Sequence, residues 1–88
     1  MNGDRRPPEA LLSEDVRLPY SKGLMARTLM GTGIRPERAY DLARLIEVEL
    51  VRGEEYEAVG AERLYDVAAS VLSEHENGEA VLHLRRLQ

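Results

Sequence analysis

Two stretches of this chain repeat apolar residues at the period of an α-helix, and they constrain what it can fold into. Between Pro36 and Gly53, Ala39, Ala43, Ile46 and Leu50 recur at spacings of four, three and four. Between Ala61 and Glu76, Leu64, Val67, Ala68, Val71 and Leu72 keep the same period. Such spacing gathers apolar side chains on one face of a helix, and that face must be buried against another element. The two stripes are therefore expected to face each other across a common core.

The rest of the chain is punctuated to match. Pro36 suits the first position of a helix, where its missing amide hydrogen is not needed. Tyr40, Leu42 and Val51 are expected to widen the inner stripe of that helix, and Gly53 to stop it. Ahead of it, a helix from about Ser21 to Met30 carries Met25, Ala26, Leu29 and Met30 on one side and ends at Gly31-Thr32-Gly33. Glycine is the usual residue just past a helix end. Residues 54–60 read as a connecting loop holding Tyr56 and Val59. Asn77-Gly78 closes the helix of residues 61–76, and a short last helix carries Val81, Leu84 and Leu87. The expected fold is mostly α: a small bundle of about four helices preceded by a short extended or hairpin element near Val16. Residues 1–12, with Pro7-Pro8 and no apolar pattern, read as a flexible lead-in, and residues 13–88 as the domain.

Eighty-eight residues make one domain with a modest core. With no Phe and no Trp, that core must be filled by aliphatic residues, Met and four Tyr. The absence of Cys excludes a disulfide scaffold and thiolate metal sites. No apolar run is long enough for a membrane span and no secretory apolar region is present, so neither a membrane nor secretion is expected and a cytoplasmic location is the default. The net charge of −4 is unevenly spread. Residues 1–44 hold eight basic and six acidic groups, and residues 45–88 four and ten. A nucleic-acid surface would need a basic excess over the domain, which is missing.

The segment 18–27 carries the strongest hint of chemistry. Pro19 holds Leu18 extended, because a residue before proline is pushed out of the helical region. Ser21 is a good N-cap, its hydroxyl placed to accept a first-turn amide. Lys22, the only lysine in the chain, sits one residue inside the helix start. Free amides and the positive end of the helix dipole favour an anion there, and Arg17 approaches along the extended stretch. The plainer reading is a strand-to-helix turn with solvated charges.

The run from Pro19 to Gly23, with the glycines Gly31 and Gly33 and the helix start Pro36 to Tyr40, resembles the ATP-cone domain. That is the small nucleotide-binding regulatory module of ribonucleotide reductases and their transcriptional repressor. The form Pro-Tyr-Ser-Lys-Gly is closer to the ATP-cone-like amino-terminal region of archaeal and bacterial 2-phosphoglycerate kinases. The likeness continues through Ala43, Ile46, Glu47 and Leu50, resumes at Leu64, Val67 and Leu72, and fades into residues 80–86. It implies a binding site for ATP or a related purine nucleotide, with or without magnesium, and no tightly held metal. On that resemblance Lys22, Arg17 and Arg86 meet the phosphates, Ser21 opens the helix beside them, and Tyr65 borders the adenine. It also implies a regulatory partner, either a kinase domain or a second copy.

The sequence departs from the ATP-cone pattern in three places. No partner strand for Val16 is evident unless Ala10-Leu11-Leu12 pairs back; Leu24 stands where an ungapped reading expects a lysine; and Ala61 replaces a hydroxyl residue. These departures keep a second reading open, a protein-interaction module of the same fold without the nucleotide. Each candidate also has a plain structural role. Arg85 and Arg86 suit the negative end of a helix, Tyr65 a half-buried site with its hydroxyl in water, and Arg27 the surface. Arg38 and Arg44 lie at helical spacings from Glu37, Asp41 and Glu47, which suggests local ion pairs. His75 and His83 have no metal-ligand spacing, and the acidic run around Tyr56 reads as a solvated loop. There is no Gly-x-x-x-x-Gly-Lys-Ser/Thr loop and no nucleophile–base pair, so the expected protein is non-catalytic alone.

Overall fold

A computed structural model describes residues 16–76 and 78–87. The expected lead-in over residues 1–12, the pairing considered for Ala10-Leu11-Leu12 and the turn residue Asn77 lie outside the described residues. In chain order the elements are β1 (Arg17–Leu18), α1 (Lys22–Gly31), α2 (Pro36–Arg52), β2 (Val59–Gly60), α3 (Ala61–His75) and α4 (Gly78–Arg86).

Four helices form where the periodicity places them, and their ends follow local chemistry. Ser21 is the N-cap of α1, its hydroxyl accepting from the Leu24 amide at 3.2 Å. Gly31 is the last residue of α1, and the glycine that the following turn requires is Gly33, at φ +99°. There the amides of Gly33 and Ile34 fold back onto the carbonyls of Met30 and Leu29. The same closure ends α2, but Glu54, not Gly53, takes the left-handed conformation, at φ 59°. A side chain there carries a steric cost that glycine avoids. Pro36 begins α2 as expected, after an N-cap, Arg35, whose side chain makes no capping bond.

Both stripes join one core. Ala39, Leu42, Ala43, Ile46 and Leu50 from α2 meet Val67, Ala68, Ala69, Val71 and Leu72 from α3, with Met25, Ala26 and Leu29 from α1 closing the other side of α2. Leu64 is half-buried against this cluster. From α4, Ala80 and Leu84 pack in, and α4 leans chiefly on α3. The fully buried large side chains are Leu29, Leu42, Ile46, Leu50, Leu72 and Leu84. Each contributes on the order of 1.5–3 kcal/mol by leaving water.

Three expectations need correction. Tyr40 and Val51 do not widen the buried stripe of α2: they are 48% and 56% exposed, on a flank of α2 that the core of described residues leaves largely uncovered. Leu87 is likewise exposed. Arg38 does not pair within its helix. It reaches across to α3, donating to Glu76 Oε2 at 2.6 Å and to the His75 carbonyl at 3.0 Å.

The extended element has a partner that lies about forty residues further along the chain. β1 and β2 pair antiparallel, with Arg17 opposite Gly60 and Leu18 opposite Val59. So the end of the segment read as a loop is a strand that ties the chain ahead of α1 to the entry of α3. Tyr20 secures this junction. Its amide donates to the Tyr56 carbonyl at 2.9 Å, its hydroxyl to the Ala43 carbonyl at 2.6 Å, and its ring meets that of Tyr56 edge-on at 6.0 Å.

Burial, the nearby Glu47 carboxylate and Tyr56 all push the Tyr20 phenol well above its ordinary range. The fold therefore favours the neutral phenol. That contribution is complete below the unfolded-state value near ~10 and is lost as pH rises above it. Tyr20→Phe should cost about 1 kcal/mol at pH 8, from the lost hydrogen bond. Between pH 8 and 11 the wild type should lose more stability than the variant. Urea unfolding at both pH values measures the difference; equal losses would show that Tyr20 is not the alkaline trigger.

Candidate functional site

The turn into α1 frames a cleft of about 260 Å³ between α1, the β1–β2 pair and the start of α3. Leu18, Tyr20, Leu24, Met25, Val59 and Leu64 supply apolar walls, while Ser21, Thr28 and Tyr65 supply polar edges. The sequence builds it locally. Successive strand residues point to opposite faces, so when Leu18 faces the cleft, Arg17 faces away. Leu24 and Thr28 are one helical turn apart on α1, and the Thr28 hydroxyl donates back to the Leu24 carbonyl at 3.0 Å. Ala61 and Tyr65 are likewise one turn apart on α3.

Of the residues singled out from the sequence, Ser21 and Tyr65 line this cleft together. Lys22, next in the chain to Ser21, is the first residue of α1 and is exposed, but it does not line the cleft. Arg17 lies in the adjoining groove with Glu54, Glu55, Glu62 and Arg63. In that groove the Glu55 carboxyl is held below its usual range, first by hydrogen bonds from Arg63, then by the charges of Arg63 and Arg17. Arg17 is thus near enough to Glu55 for their charges to interact, while the ion pair of Glu55 is with Arg63. Arg86 is exposed in the last turn of α4. Its neighbour Arg85 approaches Asp66 Oδ1 at 3.4 Å, which sets the end of α4 beside the first turns of α3, one residue from Tyr65.

Two features were not readable from the sequence. Leu18 and Leu24 are each 62% exposed and form an apolar rim to the cleft. The placement of Leu24 outside the α1 stripe was the only available signal. Gly23 is the second feature. A side chain there would meet no atom within 4 Å, so packing within the described structure does not demand a glycine. Glycine inside a helix costs about 0.5–1 kcal/mol relative to alanine.

Other concavities are occupied by internal charge pairs. One, of about 310 Å³, lies between the α1–α2 turn and α4 and holds the Arg38–Glu76 pair, with His83 Nδ1 at 3.2 Å from the Thr32 carbonyl. The groove at Arg17 holds the Arg63–Glu55 pair. Among the described residues, no cluster of three His, Asp or Glu could hold a metal ion, and no helix is long and apolar enough to cross a membrane.

The chain is similar to part of several 2-phosphoglycerate kinases. It is 34% identical over 62 residues to the enzyme of Methanopyrus kandleri, a stretch covering 70% of this chain and 19% of that protein. It is 46% identical over 37 residues to that of Methanococcus maripaludis strain C5, covering 42% and 12%. With the enzyme of Methanococcus vannielii the identity is again 46% over 37 residues. The chain thus matches less than a fifth of the length of these relatives. No family model and no solved structure matches it.

Proposed function

We propose that this is a nucleotide-binding accessory domain of the ATP-cone kind, non-catalytic alone, acting beside a kinase domain or a second copy. The observation that carries this reading is the shared helix start. One capped first turn supplies Ser21 to the lining of an apolar cleft and carries, as the next residue, Lys22, the only lysine in the chain. The similarity to 2-phosphoglycerate kinases, which act on a phosphorylated substrate, points the same way.

The cleft's size limits the pose. Sites for whole drug-sized ligands span about 300–1,000 Å³, so about 260 Å³ has room for a base and not for an entire nucleotide. The base would lie between Leu24, Leu64 and Tyr65, with the phosphates outside at the α1 start. There the first-turn amides and the dipole favour negative charge, and Lys22 adds a cation. The bare backbone at Gly23 leaves that turn open to close approach. Arg86 would reach the same region from the end of α4, and Arg17 from the adjoining groove at β1. Occupancy would hold α1, α3 and α4 in one arrangement, by no more than the ligand's difference in affinity between arrangements.

Thermal unfolding with ATP, dATP, ADP and AMP tests this. A nucleotide at a hundred times its dissociation constant should add about 2.7 kcal/mol, a rise in Tm of roughly 10–20 °C for a domain of this size. Polyphosphates should act more strongly than AMP, since more negative charge meets the same cations. No shift with any nucleotide would sink the proposal. It would favour the interaction-module reading, which the exposed Leu18 and Leu24 support because an apolar rim also suits a protein partner.

A further inference from the structure

One flank of α2 carries residues that the cleft leaves unused and the core covers at most in part, Glu47 lying half-buried near Tyr20. Tyr40, Arg44, Glu47 and Val51 follow one another at spacings of four, three and four, and so fall on a single face of the helix. Tyr40 and Val51 are about half exposed, and Val48 beside them is 45% exposed. Arg44 is exposed and Glu47 half-buried. Among the described residues, neither is in an ion pair. Their order explains this in part: a cation that precedes its anion along a helix is the less favourable arrangement.

The stripe is symmetric about its own midpoint. Positions 40 and 51 are equidistant from the point between Leu45 and Ile46, and so are positions 44 and 47. Read in either direction it runs apolar, charged, charged, apolar, with the charges of opposite sign. We propose that this stripe is a self-association surface on which α2 of a second copy lies antiparallel. In that register Tyr40 packs on Val51 of the second copy and Arg44 meets Glu47 of the second copy, each contact occurring twice about the two-fold axis. A two-fold interface needs such a self-complementary patch. Parallel alignment would instead stack Arg44 on its own equivalent, a like-charge contact that disfavours it. The proposal does not depend on nucleotide binding, because none of these four residues lines the cleft.

The expected pair is transient. α2 has 17 residues and is about 25 Å long. One helix face of that length buries less than the roughly 1,200 Å² typical of stable complexes. Sedimentation velocity of the 88-residue chain, up to about 1 mM, should therefore show a monomer shifting towards a dimer with concentration. Arg44→Glu alone should weaken association at least about tenfold, since it sets two carboxylates opposite each other. Glu47→Arg alone should do the same. The double exchange Arg44→Glu with Glu47→Arg should restore association to within about threefold of wild type, because the antiparallel register returns the opposite charges. Unchanged helical circular dichroism in each variant ensures that folding is not what is read. A chain that stays monomeric at every concentration, single variants that associate like wild type, or a double exchange that fails to restore association would each overturn the proposal.

Discussion

Ile46→Asp should leave little folded protein at neutral pH. Ile46 lies in the middle of α2, fully buried between the neighbours of that helix. Removing its side chain costs about 2–5 kcal/mol through lost burial and the cavity left behind. The new carboxyl would have no partner, so the fold would hold it neutral. Keeping an aspartate neutral at pH 7 costs about 4 kcal/mol, three pKa units from its ordinary value. The sum, about 6–9 kcal/mol, is comparable to the whole stability of about 4–13 kcal/mol expected for 88 residues.

The pH dependence has a definite sign. A carboxyl that must be neutral in the fold has its folded-state pKa raised, so the variant's deficit shrinks as pH falls toward about 4. Circular dichroism melts at pH 7 and pH 5 provide the check. Ile46→Val, at about 0.5–1.5 kcal/mol, should still melt cooperatively at both. A cooperative Ile46→Asp melt at pH 7 within a few degrees of wild type would contradict the packing described for α2.

Leu84→Ala should have the next largest effect, and a more local one. Leu84 is the one large side chain that α4 buries fully, and α4 rests chiefly on α3. The truncation should cost about 2–5 kcal/mol if the whole domain unfolds as a unit. A nine-residue helix that rests chiefly on one neighbour can also open alone, since helices this short are marginal without packing. Hydrogen exchange should then show amides 81–86 losing protection while those of α2 keep most of theirs. The variant should also bind nucleotide less well under the proposed reading, because the end of α4, which carries Arg86 and is set beside α3 by Arg85 and Asp66, would be released. Unchanged protection in α4 would mean that Leu84 is not its anchor.

The sequence made some of these features plain and hid others, for physical reasons. The stripes of α2 and α3 were legible because burial against a neighbour imposes a period of 3.6 residues on any helix. Ser21, Pro36 and Gly33 were legible because caps and turns are chosen by local backbone chemistry. Tyr40 and Val51 were misread because hydrophobicity states that a residue can be buried, and not which flank has a neighbour. The left-handed turn at Glu54 was hidden by Gly53 just before it. Long-range partners left no local trace. Arg38 had Asp41 at a helical spacing, yet it pairs with Glu76, 38 residues away. The β1–β2 pair is two residues deep, too short for alternation to register. The cleft combined both kinds of feature. Ser21 and Lys22 could be read from the chain, whereas the walls from Leu18, Leu24 and Leu64 come together only in the folded domain.

The most direct test of the nucleotide reading is a titration of the isotope-labelled chain with ATP, followed by NMR at each backbone amide. Binding in the cleft predicts saturable shifts at residues 21–25 and 61–65 with one common dissociation constant. Lys22→Ala should weaken that constant, and by less at high salt, where screening already weakens the wild-type contact. The absence of shifts at millimolar ATP would contradict the account. So would shifts confined to residues 32–38 and His83, which would place any nucleotide in the concavity between the α1–α2 turn and α4.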